Sequence, residues 1–108
     1  MSKLEADYKP GLIKRIEERF PGCWVLRIDT EFLPGVPDLL ILHKTMWALL
    51  EVKREANARK RPNQDHYVDL FDNLSFASFI YPENEEEVLN DLQVAFSPGR
   101  PARFFERQ

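Results

Sequence analysis

Apolar residues recur along the first part of the chain with the period of a helix. These apolar residues are Leu4, Tyr8, Leu12, Ile16 and Phe20. Their four-residue spacing predicts an amphipathic helix. Ser2 and Glu5 form a capping-box pattern at its start, and Pro21-Gly22 marks its end. Pro10 lies inside the pattern, where it would kink or interrupt the helix, or begin a second helix as its first residue.

Shorter and nearly continuous apolar runs follow, and these predict strands. Residues 23–28 are predicted to form the first strand. After a loop at residues 29–37, two runs on either side of residues 43–46 are typical of a β-hairpin. Both runs are apolar on both faces, which indicates a buried sheet. Residues 75–81 are predicted to form a last strand, ended by Pro82.

Two more helices are predicted around this last strand. Asn63 can cap a helix that reaches about residue 73, and the apolar stripe of this helix comprises Tyr67, Leu70, Phe71 and Leu74. Asn84 can cap a final helix that reaches about residue 96, and Glu85–Glu87 in its first turn complement the helix dipole. The order is therefore α-β-β-β-α-β-α. A right-handed parallel crossover within it predicts an α/β domain whose mixed sheet has helices on both faces.

Composition indicates one globular domain. The chain has 108 residues, of which 44% are hydrophobic and 31% charged, so it can bury a modest core. We assign residues 1–96 to the domain and residues 97–108 to a tail that is compatible with disorder, packing on a partner subunit, or DNA contact. The single Cys23 excludes an internal disulfide and fits a reducing compartment. With no apolar run long enough to span a membrane and no secretory segment, we expect an intracellular protein.

Positive charge is concentrated in one segment, although the net formal charge is -3. The overall charge argues against broad, nonspecific attraction to nucleic acid. The segment contains Lys53, Arg54, Arg59, Lys60 and Arg61. It is either a phosphate-binding patch or a solvated loop, and charge patterning alone does not separate the two.

Two carboxylates and an ammonium group fall on one face of the predicted hairpin. We expect Leu42 to pair with Trp47 across its loop. Antiparallel counting then places Asp38 opposite Glu51, and Lys53 lies two residues further on the same face. Taken singly, each has an ordinary explanation, as a turn residue or a solvated pair. Opposed carboxylates in a buried sheet, however, repel each other unless a divalent cation lies between them, and this favours metal-dependent attack on a phosphodiester.

Pro37-Asp38, a strand, and then Glu51-Val52-Lys53 resemble the signature of the PD-(D/E)XK nuclease superfamily. The segment from Gly35 to Ile41, and Gln64 downstream, resemble its VRR-NUC (virus-type replication-repair nuclease) branch, in particular the small stand-alone proteins found in phages. The similarity covers about residues 4–96. It implies the restriction-endonuclease-like PD-(D/E)XK fold and, for a phage-encoded protein, a location in the host cytoplasm.

The resemblance implies a phosphodiesterase that needs Mg²⁺ or Mn²⁺. Asp38 and Glu51 match the metal-binding carboxylates of the family, and the carbonyl of Val52 matches a further ligand. Lys53 matches the lysine that orients the attacking water or stabilises charge. Gln64 matches a glutamine whose amide would hold a water or a phosphate oxygen. Stand-alone members are typically homodimers that act on branched DNA, including four-way junctions.

The family usually has one more glutamate on the first helix. Glu5 is the best candidate, because it shares a face with the apolar stripe, whereas Glu17 and Glu18 point away from it. The capping box gives Glu5 an alternative role. Asp29 and Glu31, on the loop before the motif, are reserve ligands.

We therefore expect a metal-dependent, structure-specific DNA endonuclease, such as a Holliday junction resolvase, that works as a homodimer with one or two Mg²⁺ ions. Its expected metal ligands and catalytic residues are Asp38, Glu51, Val52, Glu5, Lys53 and Gln64. Its expected contacts to the DNA backbone are Arg54, Arg59, Lys60 and Arg61. The alternatives are a non-catalytic nucleic-acid-binding or assembly domain with the nuclease fold, and a nuclease for flaps or single strands.

Overall fold

The computed structural model describes residues 5–29, 31, 33–60 and 62–97, without the side chains of Glu5 and Ala6. The order of its elements is the predicted α-β-β-β-α-β-α. They are α1 (Glu5–Arg19), β1 (Trp24–Arg27), β2 (Leu39–His43), β3 (Met46–Val52), α2 (Gln64–Leu74), β4 (Ala77–Ile80) and α3 (Glu85–Ala95). The tail from residue 98 onward, Arg61 and the Ser2 cap lie outside the described residues.

The four strands form one mixed sheet in the order β1-β2-β3-β4. β1 and β2 are antiparallel, β2 and β3 are antiparallel, and β3 and β4 are parallel. The predicted pairing of Leu42 with Trp47 is confirmed. The hairpin loop is shorter than expected, because His43 also pairs with Met46 and only Lys44 and Thr45 remain in the turn. Lys44 has a φ of 58°, the left-handed conformation that such a tight turn requires.

Each face of the sheet packs against helices, as predicted. The larger core lies between the sheet and helices α1 and α3, and it is formed by Tyr8, Leu12, Ile16, Phe20, Leu39, Ile41, Ala48, Leu50, Val52, Ile80, Val88, Leu89, Leu92 and Phe96. The smaller core lies on the face covered by α2 and contains Leu49, Val68 and Ala77. Alternation along β3 sends Leu50 and Val52 to the first core and Leu49 to the second. Glu51 therefore points to the α2 face.

Several local expectations about the helices were wrong. α1 runs continuously through Pro10, because packing of the buried Tyr8 and Leu12 on either side outweighs the one backbone hydrogen bond that proline cannot make. Asn63 precedes α2 but makes no side-chain cap bond, since its φ of 71° turns the residue into the left-handed region. Asn84 precedes α3, yet its side chain bonds Phe79 and Tyr81 of the preceding segment instead.

The apolar stripe predicted for α2 is also displaced. Leu70 and Leu74 are exposed, and Val68 and Gln64 are the buried residues of this helix. Tyr67 and Phe71 are half-buried. The buried line of α2 therefore begins with a polar residue. Among the helices of the described residues, none has the length and apolar character needed to cross a membrane.

Candidate active site

Four residues from β2, β3 and α2, or directly next to them, meet at the end of the sheet where the chain leaves β3. Asp38 directly precedes β2, Glu51 is the last residue but one of β3, Lys53 follows β3, and Gln64 opens α2. The register of β2 and β3 pairs Leu39 with Leu50, so its continuation sets Asp38 opposite Glu51, as expected from the sequence. Because α2 starts above this end of the sheet, its first side chain reaches the residues at the end of β3.

Glu51, Lys53 and Gln64 form a buried hydrogen-bonded group. Gln64 Nε2 donates to Glu51 Oε2 at 2.9 Å, and Lys53 Nζ donates to Gln64 Oε1 at 2.7 Å. Lys53 Nζ lies 3.8 Å from the same Glu51 oxygen, and it also donates to the carbonyl of Arg59 at 3.1 Å. The exposed fractions of the three residues are 6% for Glu51, 7% for Lys53 and 4% for Gln64.

Burial of this group is costly in itself. Lysine and glutamate are rarely buried unless they are paired, because both charges lose their hydration. Here the Gln64 amide bonds both ions at once, which offsets part of the loss. Replacing a buried ion pair with apolar side chains is often neutral or stabilising, so stability alone does not account for this arrangement. The group is therefore a candidate for a chemical role.

Asp38 is held at the edge of this group by both neighbouring strands. Its carboxylate Oδ1 accepts the backbone N–H of Val52 at 3.1 Å, and its carbonyl accepts the N–H of Ile28 at 2.8 Å. Val52 lies between Glu51 and Lys53 in the chain, so this bond places Asp38 next to the buried group. The other oxygen, Oδ2, is bound by the ammonium of Lys9 on α1.

Lys9 is a site residue that the sequence reasoning missed. The expectation for α1 concerned Glu5, whose side chain lies outside the described residues. Lys9 is four positions later, and residues separated by four share a helix face. The reasoning that turned Glu5 toward the core therefore applies equally to Lys9, which neighbours the buried Tyr8. A search for charged residues next to the apolar stripe, rather than for carboxylates alone, would have found it.

The other acidic candidates that the structure describes lie at the surface. Glu17 and Glu18 are exposed on α1, as expected. Asp29 and Glu31 are exposed, and Asp29 Oδ1 accepts the backbone N–H of Glu31 at 2.9 Å. That bond is a local turn contact. In the described part of the chain, no three His, Cys, Asp or Glu side chains are grouped so as to hold a metal ion.

The basic segment lies next to the buried group. Arg54 and Arg59 are exposed, and Arg54 Nε is 3.6 Å from Glu55. Lys60 Nζ is 3.0 Å from Asp65 and 4.5 Å from the centre of the Phe79 ring. An open cleft of about 850 Å³ lies beside these residues and is lined by Arg59, Lys60, Pro62, Asn63, Asp65 and His66. Because Lys53 bonds the Arg59 carbonyl, the cleft and the buried group share one segment.

The donor set suits a divalent cation of the hard, oxygen-binding kind. Asp38 and Glu51 are carboxylates at adjacent strand ends, and Asp38 Oδ2 already attracts a cationic group. Hard cations such as Mg²⁺ bind through one or two protein carboxylates and keep several waters. Two carboxylates are therefore a sufficient protein contribution for Mg²⁺ or Mn²⁺.

Comparisons with protein-family models, with curated proteins and with solved structures find no match to this chain. The functional assignment therefore depends on the residues of the site and on their chemistry.

Proposed function

We propose that the protein is a metal-dependent DNA endonuclease with the PD-(D/E)XK fold. The observation that carries this proposal is the buried Glu51–Gln64–Lys53 group next to Asp38, whose order along the chain resembles the nuclease signature. A carboxylate pair that would bind a metal and an ammonium that would act on a phosphate oxygen then lie side by side.

Asp38 and Glu51 would hold Mg²⁺ or Mn²⁺, with the carbonyl of Val52 and, by resemblance, Glu5 as further ligands. The bound metal would supply a positive charge that activates water and neutralises the developing charge on the phosphate. Asp38 is well placed for this role, because the Val52 N–H fixes its Oδ1 and so orients Oδ2.

Lys53 would act on the attacking water or on a phosphate oxygen. An ammonium has three N–H donors, and two of them are directed at Gln64 Oε1 and the Arg59 carbonyl. These two bonds fix the position of Nζ at 3.8 Å from Glu51 Oε2, where its third N–H would act on the water or the phosphate. Gln64 is the positioning residue of the pair, since it bonds both Lys53 and Glu51.

Arg54, Arg59 and Lys60, with Arg61 outside the described residues, would hold the DNA backbone beside the site. Phosphate contacts fix position on DNA without reading its sequence. The open cleft lined by Arg59 and Lys60 is consistent with recognition of shape. We therefore propose branched DNA, and in particular four-way junctions, as the substrate.

A homodimer would present two such sites to a symmetric junction. The surface that supports this proposal is the outer strand β1. It is at one edge of the sheet, and Trp24 is 69% exposed beside the exposed Leu26 and Leu42. Trp24 pairs with Leu42 in the register, so the three side chains lie on one face. Exposed apolar surface on an unpaired edge strand is suited to pairing with a second copy.

The proposal is tested by incubating the protein with labelled four-way junction, flap, single-stranded and linear duplex DNA, with Mg²⁺, with Mn²⁺ or with a chelator. We expect metal-dependent cleavage of the junction. Asp38→Asn, Glu51→Gln and Lys53→Met should each lower the rate by about a hundredfold or more. Glu55→Gln and Lys14→Met, which change exposed residues of the same types, are the matched controls and should keep the wild-type rate.

Cleavage results other than the expected one would change or contradict the proposed function. Cleavage of flaps or single strands alone would keep the chemistry and change the substrate. Tight junction binding without cleavage in either metal would contradict the enzyme proposal and favour a non-catalytic DNA-binding domain. Cleavage that survives in Asp38→Asn and Glu51→Gln would place the reaction elsewhere.

A further inference from the structure

The two carboxylate oxygens of Asp38 have different partners, and Lys9 binds one of them. The Val52 N–H takes Oδ1, and the Lys9 ammonium takes Oδ2. The pair is half-buried, with 18% of the Lys9 side chain and 14% of the Asp38 side chain exposed. At this depth water screens the two charges only partly, so the contact is stronger than a surface ion pair.

Each of the two carboxylates of the site faces an ammonium group. Asp38 and Glu51 provide two negative charges, and Lys9 and Lys53 provide two positive charges. A divalent cation on Asp38 Oδ2 would meet the Lys9 ammonium at ion-pair distance. Two like charges cannot share one carboxylate oxygen at low cost. Lys53 instead bonds Gln64 and the Arg59 carbonyl.

We infer that Lys9 and a divalent cation bind Asp38 Oδ2 in exchange, so that Lys9 is the counter-ion of the metal-free site and leaves this oxygen when the metal binds. The inference rests on the proposed function, because it assumes that Asp38 is a metal ligand. Lys9 is then a positioning residue: it keeps the Asp38 carboxylate neutralised and oriented until a cation replaces it. Its long side chain on helix α1 permits this movement without a change in the sheet.

The exchange is measured by Mn²⁺ titration of the full chain, with free Mn²⁺ counted by electron paramagnetic resonance. Lys9→Met removes the competing charge and should bind Mn²⁺ about tenfold more tightly than the wild type. Lys9→Gln keeps a hydrogen-bond donor for Asp38 without the charge and should show a similar gain. Lys9→Arg keeps the charge and should stay within about twofold of the wild type. Lys14→Met, on the exposed face of the same helix, should bind as the wild type does.

Thermal unfolding gives a second readout that does not depend on activity. In chelator, Lys9→Met should unfold at a lower temperature than the wild type, because Asp38 has lost its counter-ion. Saturating Mn²⁺ should then raise its unfolding temperature by more than it raises that of the wild type. At one Mn²⁺ concentration, the variant that binds the ion more tightly gains more stability.

Two results would overturn the inference while leaving the proposed function intact. If Lys9→Met is less stable in chelator but binds Mn²⁺ with the wild-type affinity, the ion pair is structural only. If Lys9→Met binds Mn²⁺ more weakly, Lys9 organises the site and does not compete for it. Equal Mn²⁺ binding by the wild type and Asp38→Asn would instead overturn the metal site, and the inference with it.

Discussion

Gln64 is the residue through which the two buried charges are connected. Its amide donates to Glu51 and accepts from Lys53, so each of the two ions has Gln64 as a hydrogen-bond partner. We predict that Gln64→Leu, which has a similar volume, destabilises the protein by about 2–4 kcal/mol, because it leaves two buried charged groups short of a hydrogen bond. Urea unfolding measures the change. Gln93→Leu is the control, because Gln93 is exposed on α3 and accepts a hydrogen bond from Arg19 at 3.0 Å; an equal loss there would show that burial of the bonded charges is not the cause.

At the scale of residues, the sequence predicts the positions of those site residues that depend on strand geometry alone. Asp38, Glu51 and Lys53 were placed by counting along a hairpin, and the register confirms the count. Gln64 was expected near the site from the resemblance, and it lies there. Lys9 was not foreseen, because its contact joins residues far apart in the chain and depends on how α1 crosses the sheet. Charge signs along one helix do not reveal that crossing.

At the scale of elements, one carboxylate of α3 bonds two residues of α1. Glu85 in the first turn of α3 accepts the Tyr8 hydroxyl at 2.6 Å and the Arg15 guanidinium at 2.6 and 2.9 Å. Burial alone would raise the pKa of Glu85, but these hydrogen bonds and the Arg15 charge outweigh burial and hold its pKa below the usual value. Burial, together with the Glu85 bond and charge, raises the pKa of Tyr8, so its hydroxyl remains a donor.

The lowered pKa of Glu85 makes this contact sensitive to acid. The unfolded carboxyl has the higher pKa, so the stabilisation is complete above about pH 4.3 and is lost as the pH falls through the lower pKa of the folded state. We predict that Glu85→Gln costs about 1–2 kcal/mol at pH 7 and that the difference from the wild type shrinks at lower pH. Unfolding by urea at several pH values measures it. Glu86→Gln, at the exposed neighbouring position, should change stability little, and a constant difference across pH would contradict the assignment.

The loop before Asp38 is fitted against the start of α2 through Gly35. Gly35 has a φ of 96°, and a Cβ there would lie 2.8 Å from Asn63 Cβ and 2.9 Å from the Pro62 carbonyl oxygen. We predict that Gly35→Ala costs about 3 kcal/mol or more, from left-handed strain and overpacking together. Gly22→Ala is the matched control, because Gly22 has a φ of 87° with nothing within 4 Å, and it should cost only about 1–2 kcal/mol. Equal costs would show that the contact with Asn63 is unimportant.

The elements were predictable from periodicity, but their ends and exposed faces were not. The seven elements occur in the expected order because each carries a distinct apolar period. Leu70 and Leu74 continue the apolar period predicted for α2, yet they are exposed, because the face of the helix that packs on the sheet carries Gln64 and Val68 and the two leucines lie on the other side. Asn63 lies at the cap position, but its contact with Gly35 and its left-handed backbone decide its conformation. Such tertiary contacts override local preferences.

For the whole molecule, the open edge at β1 leads to a prediction about subunit number. Under the proposed homodimer, Trp24→Glu places a charge in the apolar surface and should convert a dimer of about 25 kDa, twice the chain mass of 12.7 kDa, into a monomer. Light scattering measures this mass. Leu70→Glu, at an exposed apolar position on α2, is the control and should leave the dimer intact. A monomeric wild type at working concentration would contradict the dimer.

The turn at Lys44 and Thr45 divides the site between two halves of the chain. Lys9 and Asp38 precede it, whereas Glu51, Lys53 and Gln64 follow it. A break in this exposed turn would leave each fragment with one carboxylate and one ammonium group of the site. Neither fragment would contain the complete site, and only reassociation of the two fragments through β2 and β3 would restore the site. Under the proposed function, the protein is thus suited to fragment complementation, in which metal binding would report that two separately produced polypeptides have associated.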